Sequence, residues 1–176
     1  RYEYISPFVW TINSSHFPGF YDTLTAFISQ MIPIKYEIQM HHLINLLFSF
    51  YTIVGIAKIS KTIFNKKVSK IIFVISFFNP IFFGHMSINP KDTIVAFSNV
   101  WATYFIIRYL QTQHLEIKRK YFSTLIGIVI GFGVGVRIIF IGTLLPIFIL
   151  ILLEIFILKK IRNNNFLVTI FFKDLI

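Results

Sequence analysis

The chain contains no cysteine. That excludes a disulfide framework, a thiol nucleophile and a thiolate metal site, and it leaves the compartment open. Charge is scarce as well: 14% of residues are charged, where a soluble domain carries about 25%. Acids are the scarcer sign, seven Asp and Glu against seventeen Lys and Arg. The resulting +10 would suit nucleic acid if it formed a basic face with interleaved aromatics, and it does not. The cations stand in short clusters at the ends of apolar runs, the arrangement of topogenic charge. No Ser-His-Asp or paired-carboxylate pattern stands out, and no nucleic-acid partner is expected.

What fills the chain is hydrocarbon: 56% apolar residues, 22 Phe and a mean hydropathy of +0.74. Several apolar runs approach or exceed the roughly 20 residues that cross a bilayer. The chain therefore reads as an all-α, polytopic integral membrane protein. Residues 1–19, aromatic and polar with two prolines, are expected to form an outer loop. Over 20–33, Phe20, Leu24, Phe27, Ile28, Met31 and Ile32 share one helical face, with Asp22, Thr25, Ser29 and Gln30 off it. Asp22 can cap this helix and Pro33 ends it. At about 13 residues it is too short to span and is expected to lie along the membrane surface.

Membrane helices are expected at about 39–57, 69–87, 91–109, 121–139 and 142–158, with 163–176 beginning a further segment. The fourth and fifth come from one apolar stretch, Phe122 to Leu158. As a single helix it would be about 55 Å long against a hydrocarbon core of about 30 Å, so it must fold back, with Gly142 and Pro146 as the expected bend. The chain opens on Arg1 and stops inside FLVTIFFKDLI. It is expected to be a piece of a longer polytopic protein, inactive alone.

Three connections hold twelve of the seventeen basic residues: Lys58, Lys61, Lys66, Lys67 and Lys70; Arg108, Lys118, Arg119 and Lys120; Lys159, Lys160 and Arg162. The positive-inside rule makes all three cytoplasmic, and an even number of crossings separates each from the next. The opening stretch, the surface helix and the bend near Arg137 then share the outer side.

In FGHMSINPKDTIVAF, residues 83–97, a cluster of polar groups gathers: His85, Ser87, Asn89, Lys91 and Asp92. The plain interpretation is a helix start, with Asn89 as N-cap, Pro90 in first position and Asp92 favouring the N-terminus. The functional one is that ionisable groups at membrane depth mark sites, and a lysine beside a helix N-terminus receives a phosphate well. Both stay open on spacing alone. Arg137 closes GIVIGFGVGVRIIF, where Gly127, Gly131 and Gly135 form a small-xxx-small face for close helix packing. GFGVG is no dinucleotide loop, because it lies within a membrane run with no strand before it. Arg137 either snorkels to the outer interface or partners a phosphate or carboxylate. His41 and His42 read as interfacial packing. A metal role shared with His16 and His85 has no specifying spacing, although a divalent metal stays open. Glu154 is expected to pair with the basic cluster near it or to snorkel, while Asp22 and Glu37 are outer-side acids.

FFGHMSINPKDTIVAFSNVWATYF resembles the GHSFxNPKDxPFA-type segment of bacterial membrane glycosyltransferases of the GT-C fold, related to dolichyl-phosphate-mannose-protein mannosyltransferases and lipid A aminoarabinose transferases. GIVIGFGVGVRIIF is similar to their Gly-rich helix ending in Arg, and HFPGFYDTL, at 16–24, looks like the segment that leads into their interfacial helix. The likeness spans about 16–145 in order, with Ile94 where the pattern has Pro and Met86-Ser87 in place of Ser-Phe. It implies a partial GT-C-like bundle that moves a sugar from a polyprenyl-phosphate donor to a lipid, glycan or protein acceptor. The expected place is the periplasmic face of a bacterial inner membrane. Lys91 and Arg137 would hold the donor phosphate, supported by His85, Asn89, Asp92 and Asp22. The family's catalytic acid is expected upstream of Arg1, or at best within 1–15, where Glu3 is the only acid. The rival expectations are a transporter or flippase component, in which these charges line a pathway for an anionic solute, and a purely structural subunit.

Overall fold

The computed structural model describes residues 19–80, 82, 84, 89–112 and 115–162, and only the backbone of 34, 150 and 154–162. His16, His85, Ser87, the loop before Gly19, the segment 163–176 and the side chain of Glu154 lie outside this range. Among the described residues there is no strand. The order is α1 (Phe20–Ser29), a single 3-10 turn (Ile34–Tyr36), α2 (Glu37–Ile63), α3 (Lys66–Phe77), α4 (Pro90–Gln111), α5 (Glu116–Val136) and α6 (Phe140–Arg162). The protein is all-α, a membrane helical bundle.

Helix α2 shows which solvent the fold is built for. Its buried face carries Asn45, Ser49, Thr52, Gly55 and Ser60 beside Met40 and Ile53, while Leu43, Leu46, Leu47 and Phe50 are exposed. A water-soluble helix hides its leucines. Here small and polar residues make up most of the face toward protein and the leucines face outward, as hydrocarbon surroundings allow. Helices α2 and α5 are each long and apolar enough to cross a membrane. Helix α1 obeys the same rule. Tyr21 and Thr25 are its buried residues, whereas Phe27 and Met31 of its apolar stripe are 59% and 72% exposed. Its N-cap is Gly19 without a side-chain bond, so Asp22 does not cap it.

Helix α3 starts where the Asn65 side chain accepts the Val68 N–H at 2.9 Å. It stops at Phe77, not at residue 87. Pro80 has no N–H to donate and disfavours a helical Asn79, so the ladder breaks there. Asn79 Oδ1 then accepts the Phe82 N–H at 3.0 Å and starts a new turn. A second departure concerns the long apolar stretch. It reverses at Arg137–Ile139, and Gly142 and Pro146 lie inside α6. Arg137 takes extended backbone, φ −148° and ψ 120°, and the Phe140 N–H bonds back to its carbonyl at 3.0 Å.

Helix α4 lies between α2 and α5. An added Cβ at Gly55 would fall 2.6 Å from Val100 Cγ1, so only a hydrogen fits where α2 and α4 touch. Trp101 Nε1 donates to the Tyr51 carbonyl at 3.1 Å, and Lys58 Nζ sits 4.8 Å from the Trp101 ring centre. Ala102, Phe105, Val129, Phe140 and Leu144 form a core shared by α4, α5 and α6. Phe48 meets Phe97, and Lys58 meets Trp101 and Tyr104 further along, so α2 and α4 run in the same direction. The starts of α2 and α4 and the end of α5 therefore gather at one end of the bundle. The basic α2–α3 and α4–α5 turns gather at the other.

Candidate functional site

At the first of these ends, α1 lies against α5 and α2. An apolar floor of buried Tyr21, Ile94 and Val136, flanked by Phe20, Ile44, Phe48 and Val95, joins four helices. The Phe20 ring packs against Phe132 at 4.9 Å between centres and over Gly135, where an added Cβ would lie 3.0 Å from Phe20 Cβ. The Tyr21 hydroxyl shares a hydrogen bond of 2.9 Å with His41 Nδ1 and ties α1 to α2. Burial, with the Asp22 charge adding to it, pushes the Tyr21 phenol up to about 12. The hydroxyl is thus held neutral.

Four charged residues stand on this floor. Asn89 is the N-cap of α4 and Pro90 its first residue. The Asn89 side-chain oxygen accepts the Asp92 N–H at 3.3 Å, and its amide donates to Asp92 Oδ2. Asn89 thus caps the helix through its oxygen and holds the Asp92 carboxylate through its amide. Asp92 Oδ1 then accepts from Arg137 at 2.8 Å and joins the start of α4 to the end of α5. Lys91, the next residue round the turn, reaches Asp22 of α1 at 3.5 Å. All four side chains are between 30% and 48% exposed. Pairs this accessible contribute about 0–1 kcal/mol each. Floor and cap therefore fix the geometry, and the ion pairs orient charges that a ligand can still reach.

Of the residues singled out in the sequence, Asp22, Asn89, Lys91, Asp92 and Arg137 meet in this one cluster. His85 lies outside the described residues. His41 meets Tyr21. Among the described residues, no group of three or more His, Cys, Asp or Glu is placed to hold a metal ion. Tyr21 was not legible as a site residue, since in a chain with 8 Tyr and 22 Phe one more aromatic signals nothing. Its spacing of 20 residues from His41 carries no pattern either.

Residues 25–172 match the sequence model of the family described as dolichyl-phosphate-mannose-protein mannosyltransferase. The chain belongs to that family. It is a membrane glycosyltransferase of the mannosyltransferase type, with the all-α bundle of the GT-C class. Neither the comparison with curated proteins nor that with solved structures gives a significant match. Within the mannosyltransferase match fall Asn89, Lys91, Asp92 and Arg137, while Asp22 stands just before it.

Proposed function

We propose that this glycosyltransferase takes its sugar from a polyprenyl-phosphate donor and passes it to a lipid, glycan or protein hydroxyl on the non-cytoplasmic face. We assign the donor phosphate to Lys91 and Arg137, with Asn89, Asp92, Asp22 and His85 in support. The leaving group of such a donor is already an anion. It needs cations more than it needs a proton. One observation carries the assignment: two cations from different helices, Lys91 of α4 beside Asp22 and Arg137 of α5 beside Asp92, stand accessible at the same end of the bundle. Arg137 meets Asp92 through NH1, and a guanidinium has further N–H groups for a phosphate oxygen.

The test is transfer by the full-length protein from a polyprenyl-phosphate sugar donor. Lys91→Ala and Arg137→Ala should each lower turnover by about 100-fold or more, the usual cost of losing one oxyanion-stabilising group. Both variants should insert into the membrane in normal amounts. Unchanged turnover in both would remove the assignment.

A further inference from the structure

The basic pole holds its cations differently from the cluster at the other end. Lys91 and Arg137 each face a carboxylate. Among the described residues, Lys58 of α2 and Arg108 of α4 have no carboxylate partner and meet aromatic rings instead. Lys58 Nζ sits 4.8 Å from the Trp101 ring centre and 5.7 Å from that of Tyr104. The Arg108 guanidinium sits 5.7 Å from the ring centre of Phe122 on α5. Its NH1 donates to Gln111 Oε1 at 3.3 Å, and its buried Nε has no hydrogen-bond partner among the described residues. Trp101, Tyr104 and Arg108 follow one another at helical spacing and share one face of α4, with Lys58 on one flank and Phe122 on the other. Trp101 is fixed there by its bond to the Tyr51 carbonyl. Arg119 of α5, 7% exposed, stands about one turn from Phe122 toward the pole.

Topology alone does not ask for this arrangement. The positive-inside rule counts cations near the ends of spans, and exposed lysines such as Lys66 and Lys67 satisfy it as they stand. A ring face holds a cation in place without neutralising it. We infer that this face of α4 binds the phosphate headgroup of an anionic phospholipid from the leaflet at the basic pole. Lys58 and Arg108 flank Tyr104 and meet the phosphate from two sides, the guanidinium through N–H groups that Gln111 does not use. Trp101 and Tyr104 stand at headgroup depth, the usual place of such rings, and basic pockets between membrane helices suit acidic headgroups. A lipid fits better than a free ion, because the face continues away from the pole past Trp101 to Tyr51, which is 52% exposed among the outward-facing apolar side chains of α2. This site lies at the opposite end of the bundle from Lys91 and Arg137 and does not rest on the donor assignment.

The test is native mass spectrometry of the full-length protein in detergent, with phosphatidylglycerol or phosphatidylcholine added. The unmodified protein should retain phosphatidylglycerol in preference to phosphatidylcholine. Lys58→Gln combined with Arg108→Gln should weaken phosphatidylglycerol binding by about 10- to 100-fold, the scale of two lost charge-assisted contacts. Lys66→Gln combined with Lys67→Gln removes the same charge from the same pole and should stay within about threefold, as exposed charges do. Lys58→Arg combined with Arg108→Lys keeps both charges and should also retain the lipid. Equal losses in the two Gln pairs would reduce the effect to general attraction by the basic pole and overturn the inference. So would equal retention of the two lipids, or loss of binding in the charge-keeping pair as complete as in the first Gln pair, which would trace the loss to packing. Displacement of phosphatidylglycerol by inorganic phosphate would make this a free-anion site and overturn the lipid assignment.

Discussion

Asn89 shows how one residue serves structure and site at once. Its side chain accepts the Asp92 N–H and donates to the Asp92 carboxylate, so the cap of α4 and the orientation of the Arg137 partner are one object. Asn89→Ala should cost about 1 kcal/mol of stability, typical of a lost N-cap, read by thermal unfolding in detergent. Tyr21 gives a pH dependence of definite sign. Its phenol is raised from 10.0 to about 12 in the fold, so its contribution is complete below pH 10 and is lost as pH rises through the folded value. Tyrosinate absorbance should show a component near pH 12 that is missing from Tyr21→Phe. The charged members of the cluster were readable in the sequence because a charge in an apolar run demands a reason. Tyr21 was not, because its role is set by where α1 docks, and Tyr21 and Thr25, buried there beside Phe20, lie off the apolar stripe.

The helices themselves were readable from apolar runs and capping residues, but their joints were not. Asn79-Pro80 lay inside an apolar run whose hydropathy hid the break. The reversal at Arg137–Ile139 rests on extended backbone at Arg137 and on the Phe140 N–H returning to its carbonyl, which no local pattern encodes. The glycines make the same point. Gly127 and Gly131 repeat at the spacing of a packing face, yet an added Cβ would meet nothing within 4 Å at either. Gly133 falls off that repeat, and there an added Cβ would lie 2.5 Å from the Phe140 ring. Close approach is thus set by the fold-back of α6 onto α5 at Gly133 and by α1 at Gly135, where an added Cβ would lie 3.0 Å from Phe20 Cβ. Gly133→Ala should destabilise the protein and lower its yield of folded material, because Phe140 is fully buried and has little room to yield. Gly127→Ala should be neutral or stabilising by up to about 1 kcal/mol, since alanine is the better helix former. Thermal unfolding of the two variants side by side separates a packing glycine from a merely permissive one.

At the scale of the whole molecule, charge and helix direction have to agree. Helices α2 and α4 run in the same direction, which sends Lys58, Lys61, Lys66, Lys67, Lys70, Arg108, Lys118, Arg119 and Lys120 to one pole and the Asp22–Lys91–Asp92–Arg137 cluster to the other. The positive-inside rule assigns the basic pole to the cytoplasm. The mixed cluster is then expected to open on the opposite side, where sugar transfer from a lipid carrier is proposed. The bias follows the count of Lys and Arg, to which carboxylates contribute little, and the nine cations of the basic pole outnumber the two of the cluster. Reporters inserted after Phe64 and after Leu115 should report the cytoplasm, and one inserted after Ile138 the opposite compartment. A cytoplasmic signal at Ile138 would leave α5 unable to cross, despite its length and apolar composition. It would also put the cluster on the side from which a non-cytoplasmic acceptor cannot be reached.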